Sequence, residues 1–95
     1  MSVDKERNTN MKMNRISFDS IVRRDAYRNG FPNYKLMSGM VATLSSTFHK
    51  GCVEVSYDED DGYIVYDVVS GVEFVVGSEQ GLATKLRELA EYYIG

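Results

Sequence analysis

The stretch VEVSYDEDDGYIVYDV, residues 53–68, decides the fold of this chain. Val53, Val55 and Tyr57 alternate with polar residues before Asp61-Gly62, and a run rich in Val, Ile and Tyr follows it. Asp-Gly between such runs is a strong hairpin signal, because a type I′ turn needs positive φ at both central residues. This stretch therefore predicts two antiparallel strands joined by a two-residue loop.

Two further turn signals, Lys50-Gly51 and Ser70-Gly71, extend the hairpin into a four-stranded antiparallel β-meander that begins near residue 36. A two-residue loop at Lys50-Gly51 places Leu44 opposite Tyr57, and the two-residue loop at Asp61-Gly62 places Tyr57 opposite Tyr66. A three-residue loop at 69–71 places Val68 opposite Val72. The three registers agree on one apolar face. It comprises Met40, Ala42, Leu44, Phe48, Val53, Val55, Tyr57, Ile64, Tyr66, Val68, Val72, Phe74 and Val76.

Residues 36–48 fit either a helix or a strand. Met37, Met40, Val41, Leu44 and Phe48 lie at helical spacing, whereas the alternate positions of the same run suit a strand. The content of Ser, Thr and Val favours the strand. As a strand, Val41–Thr47 lacks the charges or proline that usually protect a sheet edge, so pairing of two copies into a homodimer is an added prediction.

One helix is predicted on each side of the meander. Residues 17–29 form the first, with Ser17, Asp19 or Ser20 as N-cap, and Asn29-Gly30 followed by Pro32 ends it. Ser78 caps the second, whose buried stripe is Leu82, Leu86, Leu89 and Tyr93. The prediction is a two-layer α+β fold, helix, four-stranded antiparallel meander, helix, with both helices packed on one face of the sheet.

The chain of 95 residues is long enough for one domain, which we place at residues 15–95 after a disordered N-terminal arm at residues 1–14. The arm has no hydrophobic segment of the secretory type, and no apolar run reaches the ~20 residues of a membrane helix. Cys52 is the single cysteine and cannot form an internal disulfide. These features predict a cytoplasmic protein that does not interact with membranes.

Charge is divided unevenly along the chain. Residues 1–35 carry eight Lys or Arg and four Asp or Glu, a net +4, whereas residues 36–95 carry three and ten, a net −7. A basic cluster can contact phosphates, so binding of nucleic acid through Arg15, Arg23, Arg24 and Arg28 is the alternative hypothesis for function. An overall pI of about 5.0 and the lack of a basic groove with interleaved aromatic residues oppose it.

Catalytic and metal-binding motifs are weak. Asp58-Glu59-Asp60-Asp61-Gly62 resembles part of a calcium loop, but Tyr57 and Val68 stand where an EF-hand needs ligands. His49 and Cys52 could pair as base and nucleophile, yet no residue orients the histidine and no oxyanion donor is identifiable. We predict no enzymatic activity, no metal and no cofactor.

The remaining surface features suggest a contact site for a protein. Asp58, Glu59, Asp60 and Asp61 form an acidic turn, while Tyr63, Val65 and Val75 are predicted on the outer face of the sheet. Tyr27, Tyr34 and Tyr92 are the other tyrosines expected to be exposed, and exposed tyrosine is common in interfaces.

The order of helix, strands and helix resembles double-stranded-RNA-binding domains in outline, but Ser78–Leu82 lacks their lysine-rich phosphate grip. The size, the acidic turn and the exposed tyrosines are also similar in type to phage-encoded anti-CRISPR and other anti-defence inhibitors. That resemblance implies a non-enzymatic protein that occludes or modulates a protein partner, sometimes by presenting carboxylates in place of phosphates. The net charge of −3 departs from the strongest DNA mimics.

Overall fold

A computed structural model describes residues 13–94, and within them it shows two helices and one five-stranded antiparallel sheet. Neighbouring strands of the sheet follow the order of the chain. The elements are α1 (Arg15–Arg28), β1 (Asn33–Leu36), β2 (Val41–Ser45), β3 (Val53–Asp58), β4 (Gly62–Asp67), β5 (Val72–Val76) and α2 (Glu79–Tyr93). The predicted α+β class and the antiparallel sheet are confirmed.

The sheet has one more strand than predicted. β1 is only four residues long and follows Pro32 directly, so its sequence carries little strand signal. Its turn into β2 uses Gly39, which has a φ of 68° and no Asn or Asp before it. The strand interpretation of residues 36–48 is confirmed for β2, but β2 lies between β1 and β3. The prediction that Val41–Thr47 forms an exposed sheet edge is therefore wrong, whereas the homodimer itself stays a prediction.

Both helices begin and end at capping residues. Asn14 caps α1 by accepting a hydrogen bond from the Ser17 backbone N–H at 2.8 Å, so the helix starts two residues earlier than predicted. Met13, beside it, packs against the core, while the rest of the predicted arm, residues 1–12, lies outside the described residues. Asn29 ends α1 and Ser78 caps α2, as predicted.

The core lies between the helices and one face of the sheet. α1 packs against β1 and β2, and α2 packs against β4 and β5. The predicted stripe of Leu82, Leu86, Leu89 and Tyr93 is buried. On the α1 side, Phe18 and Val22 are fully buried in the same cluster. The placement of both helices on one face of the sheet is confirmed.

The hairpin between β3 and β4 has a three-residue loop, Glu59–Asp61, in place of the predicted two-residue loop. Val55 therefore faces Val65 and Tyr57 faces Tyr63, not Tyr66. Because side chains alternate between faces, a shift of three residues turns the whole of β4 over. Tyr63 and Val65 are buried at 3% and 0% exposure, and Ile64 and Tyr66 lie on the outer face.

The other two hairpins differ from the predicted registers in instructive ways. Leu44 faces Val53 and not Tyr57, so the register of β2 against β3 differs from the prediction by four residues. Because this number is even, the predicted face of β2 still points towards the core. Val72 faces Asp67 and not Val68, so the register of β4 against β5 differs from the prediction by one residue. This odd difference cancels the reversal of β4, and β5 therefore keeps its predicted face towards the core. Phe48 and Val68 fall in the loops between strands and are exposed, contrary to the prediction.

Gly62 fixes the β3–β4 turn, because its φ is 88° and a Cβ there would lie 2.9 Å from the Val76 carbonyl oxygen. Gly71 has a φ of 77° but open space around the same position. We expect Gly71→Ala to cost about 1 kcal/mol of unfolding free energy from left-handed strain alone. Gly62→Ala should cost roughly 1–3 kcal/mol more than this, because its Cβ would also collide with the β5 backbone and the cost of such overpacking lies in that range.

Urea unfolding of the two variants, followed by circular dichroism, measures this difference. Equal losses of stability would contradict the close approach of Gly62 to β5.

Candidate functional site

The β3–β4 hairpin ends in the acidic tip, which we define as Asp58, Glu59, Asp60 and Asp61. All four residues are exposed. The Asp58 carboxylate accepts hydrogen bonds from the backbone N–H groups of Asp60 at 2.8 Å and Asp61 at 3.2 Å, so the tip has a defined shape. No ion pair within residues 13–94 involves the tip. Its negative charge is therefore presented to solvent.

The tip is not built as a metal site. Across the described part of the chain, no three His, Cys, Asp or Glu side chains are grouped so that they could hold a metal ion. One oxygen of Asp58 is already used by the turn itself. What the tip offers is a fixed cluster of surface carboxylates, which suits contact with a cationic surface.

The predicted contact patch of Tyr63, Val65 and Val75 does not exist as a surface. Tyr63 and Val65 belong to the core because β4 is turned over, and the Tyr63 ring packs edge-on against Tyr57 at 5.2 Å between centroids. Val75 is exposed on the outer face, where its cross-strand neighbour is Ile64. Recognising a three-residue loop, Glu59–Asp61, followed by Gly62 would have found this arrangement.

Most arginines of the basic cluster have hydrogen-bond or ion-pair partners within the chain. The Arg15 guanidinium donates to the backbone carbonyls of Met37 and Gly39, each at 3.0 Å. These bonds fasten the start of α1 to the β1–β2 turn. The Arg15 side chain therefore stabilises the packing of α1 against this turn, in addition to placing a positive charge at the surface.

Two more arginines of the cluster have carboxylate partners. Arg23 pairs with Asp19 at 3.0 Å and also lies over the Tyr34 ring. Arg24 pairs with Glu79 and thereby links α1 to the start of α2. Among the four predicted nucleic-acid contacts, Arg28 alone has no partner in residues 13–94.

His49 and Cys52 are not arranged as a base and a nucleophile. Cys52 is 1% exposed, and its thiol donates to the Leu44 carbonyl oxygen at 3.8 Å. Burial raises the pKa of the Cys52 thiol, which keeps it protonated and unreactive. The His49 ring instead lies 3.4 Å from the Ser46 hydroxyl and packs against Tyr93.

Asp67 and Tyr93 form a buried hydrogen bond beside Cys52. The Tyr93 hydroxyl donates to the Asp67 carboxylate, which also accepts from the Ser70 backbone N–H at 3.4 Å. Burial alone would raise the pKa of Asp67, but these hydrogen bonds outweigh it and hold the pKa below its usual value. The pair connects α2 to the end of β4, and both side chains are buried, so neither is presented at the surface for binding.

Exposed aromatic residues lie at the end of the sheet opposite the acidic tip. Phe48, in the loop before β3, is 89% exposed, and Tyr92, at the end of α2, is 76% exposed. His49 contacts Tyr93 at 5.1 Å between ring centroids, and Tyr93 contacts Tyr92 at 4.9 Å. Exposure of Tyr92 was predicted, whereas Phe48 was placed in the core. The run Ser45-Ser46-Thr47 before it was the available signal for a longer loop.

The chain matches no protein-family model, no curated protein and no solved structure. Neither described helix is long and apolar enough to cross a membrane.

The Asp67–Tyr93 hydrogen bond makes stability depend on pH. Because the folded pKa of Asp67 lies below its unfolded value, this contribution is present above about pH 4 and is lost as the pH falls further. We expect Tyr93→Phe to lower the free energy of unfolding by about 2 kcal/mol at pH 7, a typical loss for a bond to a charged group.

Urea unfolding of both proteins between pH 7 and pH 3 tests this expectation. The difference between them should shrink in acid, and a difference that is constant with pH would contradict the role given to Asp67.

Proposed function

We propose that this protein is a small non-enzymatic binding protein whose acidic tip occupies a basic surface of a protein partner and so occludes it. The observation that carries the proposal is the exposed acidic cluster at the β3–β4 turn, whose backbone is hydrogen-bonded to Asp58 and whose carboxylates have no cationic partner in residues 13–94. Complementary charge speeds encounter and selects the partner. Inhibition of the anti-defence type would be one use of such a surface.

The distribution of side-chain contacts supports a cationic partner. The basic side chains Arg23, Arg24 and Lys85 are paired with carboxylates of the same chain, and Arg15 is bonded to backbone carbonyls. The tip residues have no such pairing with any residue of the described part of the chain. Repulsion among their carboxylates is relieved when a partner supplies the opposite charge. This contrast is what favours the tip over the rest of the surface.

The nucleic-acid alternative receives less support from the same contacts. Three arginines of its proposed surface, Arg15, Arg23 and Arg24, already have partners, and binding phosphates would compete with those contacts. Arg28 is the remaining one, and a single guanidinium supplies little of the electrostatic affinity that nucleic-acid binding requires.

A cytoplasmic location is part of the proposal. Its support is the free, buried thiol of Cys52, which suits a reducing compartment.

Replacement of the tip carboxylates tests the proposed function. In Glu59→Gln/Asp60→Asn/Asp61→Asn, Asp58 is retained because it holds the turn. The matched control, Glu54→Gln/Glu73→Gln/Glu91→Gln, removes three exposed carboxylates elsewhere. The partner is first identified by affinity capture from the source cell, and its affinity for each purified protein is then measured by calorimetry.

We expect the tip variant to bind at least about tenfold more weakly, which corresponds to 1.4 kcal/mol, while the control stays within about twofold of wild type. Binding of the tip variant should also lose most of its dependence on salt. Unchanged affinity in the tip variant would exclude the acidic tip as the contact. If Phe48→Ser abolished binding instead, the opposite end of the sheet would be the working surface.

A gel-shift experiment tests the alternative. At about 50 mM salt, where phosphate contacts are strong, we expect no retardation of duplex or single-stranded DNA or RNA. A salt-sensitive shift that Arg28→Gln weakens would overturn this expectation and favour nucleic acid as the partner.

A further inference from the structure

A groove opens on the outer side of β1 and β2, beneath the loop that follows β2. Its volume is about 620 Å³, within the range of small-molecule sites. Two cross-strand pairs belong to it, Asn33 with Ser45 and Lys35 with Thr43. The remaining lining residues are Tyr34, Met37, Ser46, Thr47, Lys50 and Gly51.

The charge of this groove is opposite to that of the surrounding protein. Residues 36–95 have a net charge of −7, yet among residues 13–94 no Asp or Glu lines the groove, and Lys35 and Lys50 both do. Both lysines are exposed, and neither takes part in an ion pair within residues 13–94. Lys85, in contrast, is held by Glu88 at 2.7 Å. Both lysines therefore line one common space, and neither is neutralised by an ion pair with another described residue.

Hydroxyl groups add hydrogen-bond donors to the same space. Ser45 Oγ accepts from the Gly51 backbone N–H at 2.7 Å, which leaves its own proton free to be donated. The hydroxyls of Thr43 and Thr47 form no hydrogen bond to other described residues. Ammonium and hydroxyl donors together are the groups that bind phosphate oxygens.

The loop over the groove is held in place by its own hydrogen bonds. The Ser46 backbone N–H donates to the His49 carbonyl oxygen, and the His49 backbone N–H donates to Ser46 Oγ, each at 3.0 Å. Gly51 has a φ of 62°, which lets the chain turn back into β3. A site with a fixed wall loses less conformational entropy when a ligand binds.

We propose that this groove binds a small organic phosphate through Lys35 and Lys50, with the hydroxyls of Thr43, Ser45 and Thr47 as additional donors. The groove is larger than a phosphate ion, so an organic group attached to the phosphate fills the rest of it. Inorganic phosphate therefore binds, but more weakly than a phosphate ester.

Glu54 gives the proposal an additional consequence. It is the cross-strand neighbour of Thr43 on β3, on the side away from Lys35, and it does not line the groove. Its carboxylate repels an anion in the groove at short range. Removal of this charge should therefore strengthen binding, whereas removal of either lysine should weaken it.

The groove is independent of the function proposed for the acidic tip. The tip begins at the last residue of β3, whereas the loop over the groove precedes the first residue of that strand. The lysine variants leave the tip unchanged, and the tip variants leave the groove unchanged. Failure of one proposal therefore says nothing about the other.

Titration of the full chain, followed by amide chemical shifts, tests the proposal. The probes are adenosine 5′-monophosphate, ribose 5-phosphate and inorganic phosphate, with adenosine as the phosphate-free control. The variants are Lys35→Gln/Lys50→Gln and Glu54→Gln, and Lys85→Gln is the matched control because its ammonium group lies over Phe74, away from the groove. Unchanged amide spectra elsewhere in the chain verify that each variant is folded.

We expect saturable shifts at Lys35, Thr43, Ser45 and Gly51 with the two phosphate esters, weaker binding of inorganic phosphate, and none with adenosine. The lysine double variant should bind roughly tenfold more weakly, Glu54→Gln roughly twofold more tightly, and Lys85→Gln as wild type. Absence of shifts up to about 10 mM ester would overturn the proposal, as would equal binding by the double variant.

Discussion

The turn between β3 and β4 is the constraint on which the rest of the molecule depends. Asp58 holds it by accepting two backbone N–H groups, and Gly62 closes it in a conformation that brings the turn against β5. The odd length of the loop sends Tyr63 and Val65 into the core. The same turn carries the acidic tip outward, so one local geometry determines both the packing of the sheet and its most charged surface.

The fold could be predicted from the sequence wherever the signal was local or independent of register. Helix α2 follows from the cap at Ser78 and the buried leucine stripe. The core-facing residues of β2, β3 and β5 were predicted correctly, because the errors in the strand registers were even in number or cancelled one another. The face of β4 could not be predicted from the strand's own residues, since Tyr63-Ile64-Val65-Tyr66 is apolar throughout and suits either orientation, so it depended on the length chosen for the loop before it. β1 was not predicted, because four residues are too few to show a clear alternation of apolar and polar side chains.

The candidate site was predicted in part for the same reasons. Exposure of the acidic tip follows from composition at a turn, whatever the exact register. The sequence could not show that Arg15 and Arg24 have partners within the fold, because those contacts join segments that are distant in the chain. The Arg23–Asp19 pair lies four residues apart on one helix, so helical spacing could have indicated it. Nor could it show that Lys35 and Lys50 share a groove, since strand pairing and the loop before β3 bring them together.

The register of β3 against β4 is the central claim, because it separates core residues from surface residues along both strands. Cross-strand nuclear Overhauser effects measure it directly, since facing residues of antiparallel strands have Cα atoms about 4.5–5.5 Å apart. The account predicts contacts between Tyr57 and Tyr63 and between Val55 and Val65. Contacts between Tyr57 and Tyr66 would contradict it, for they would return Tyr63 and Val65 to the outer face.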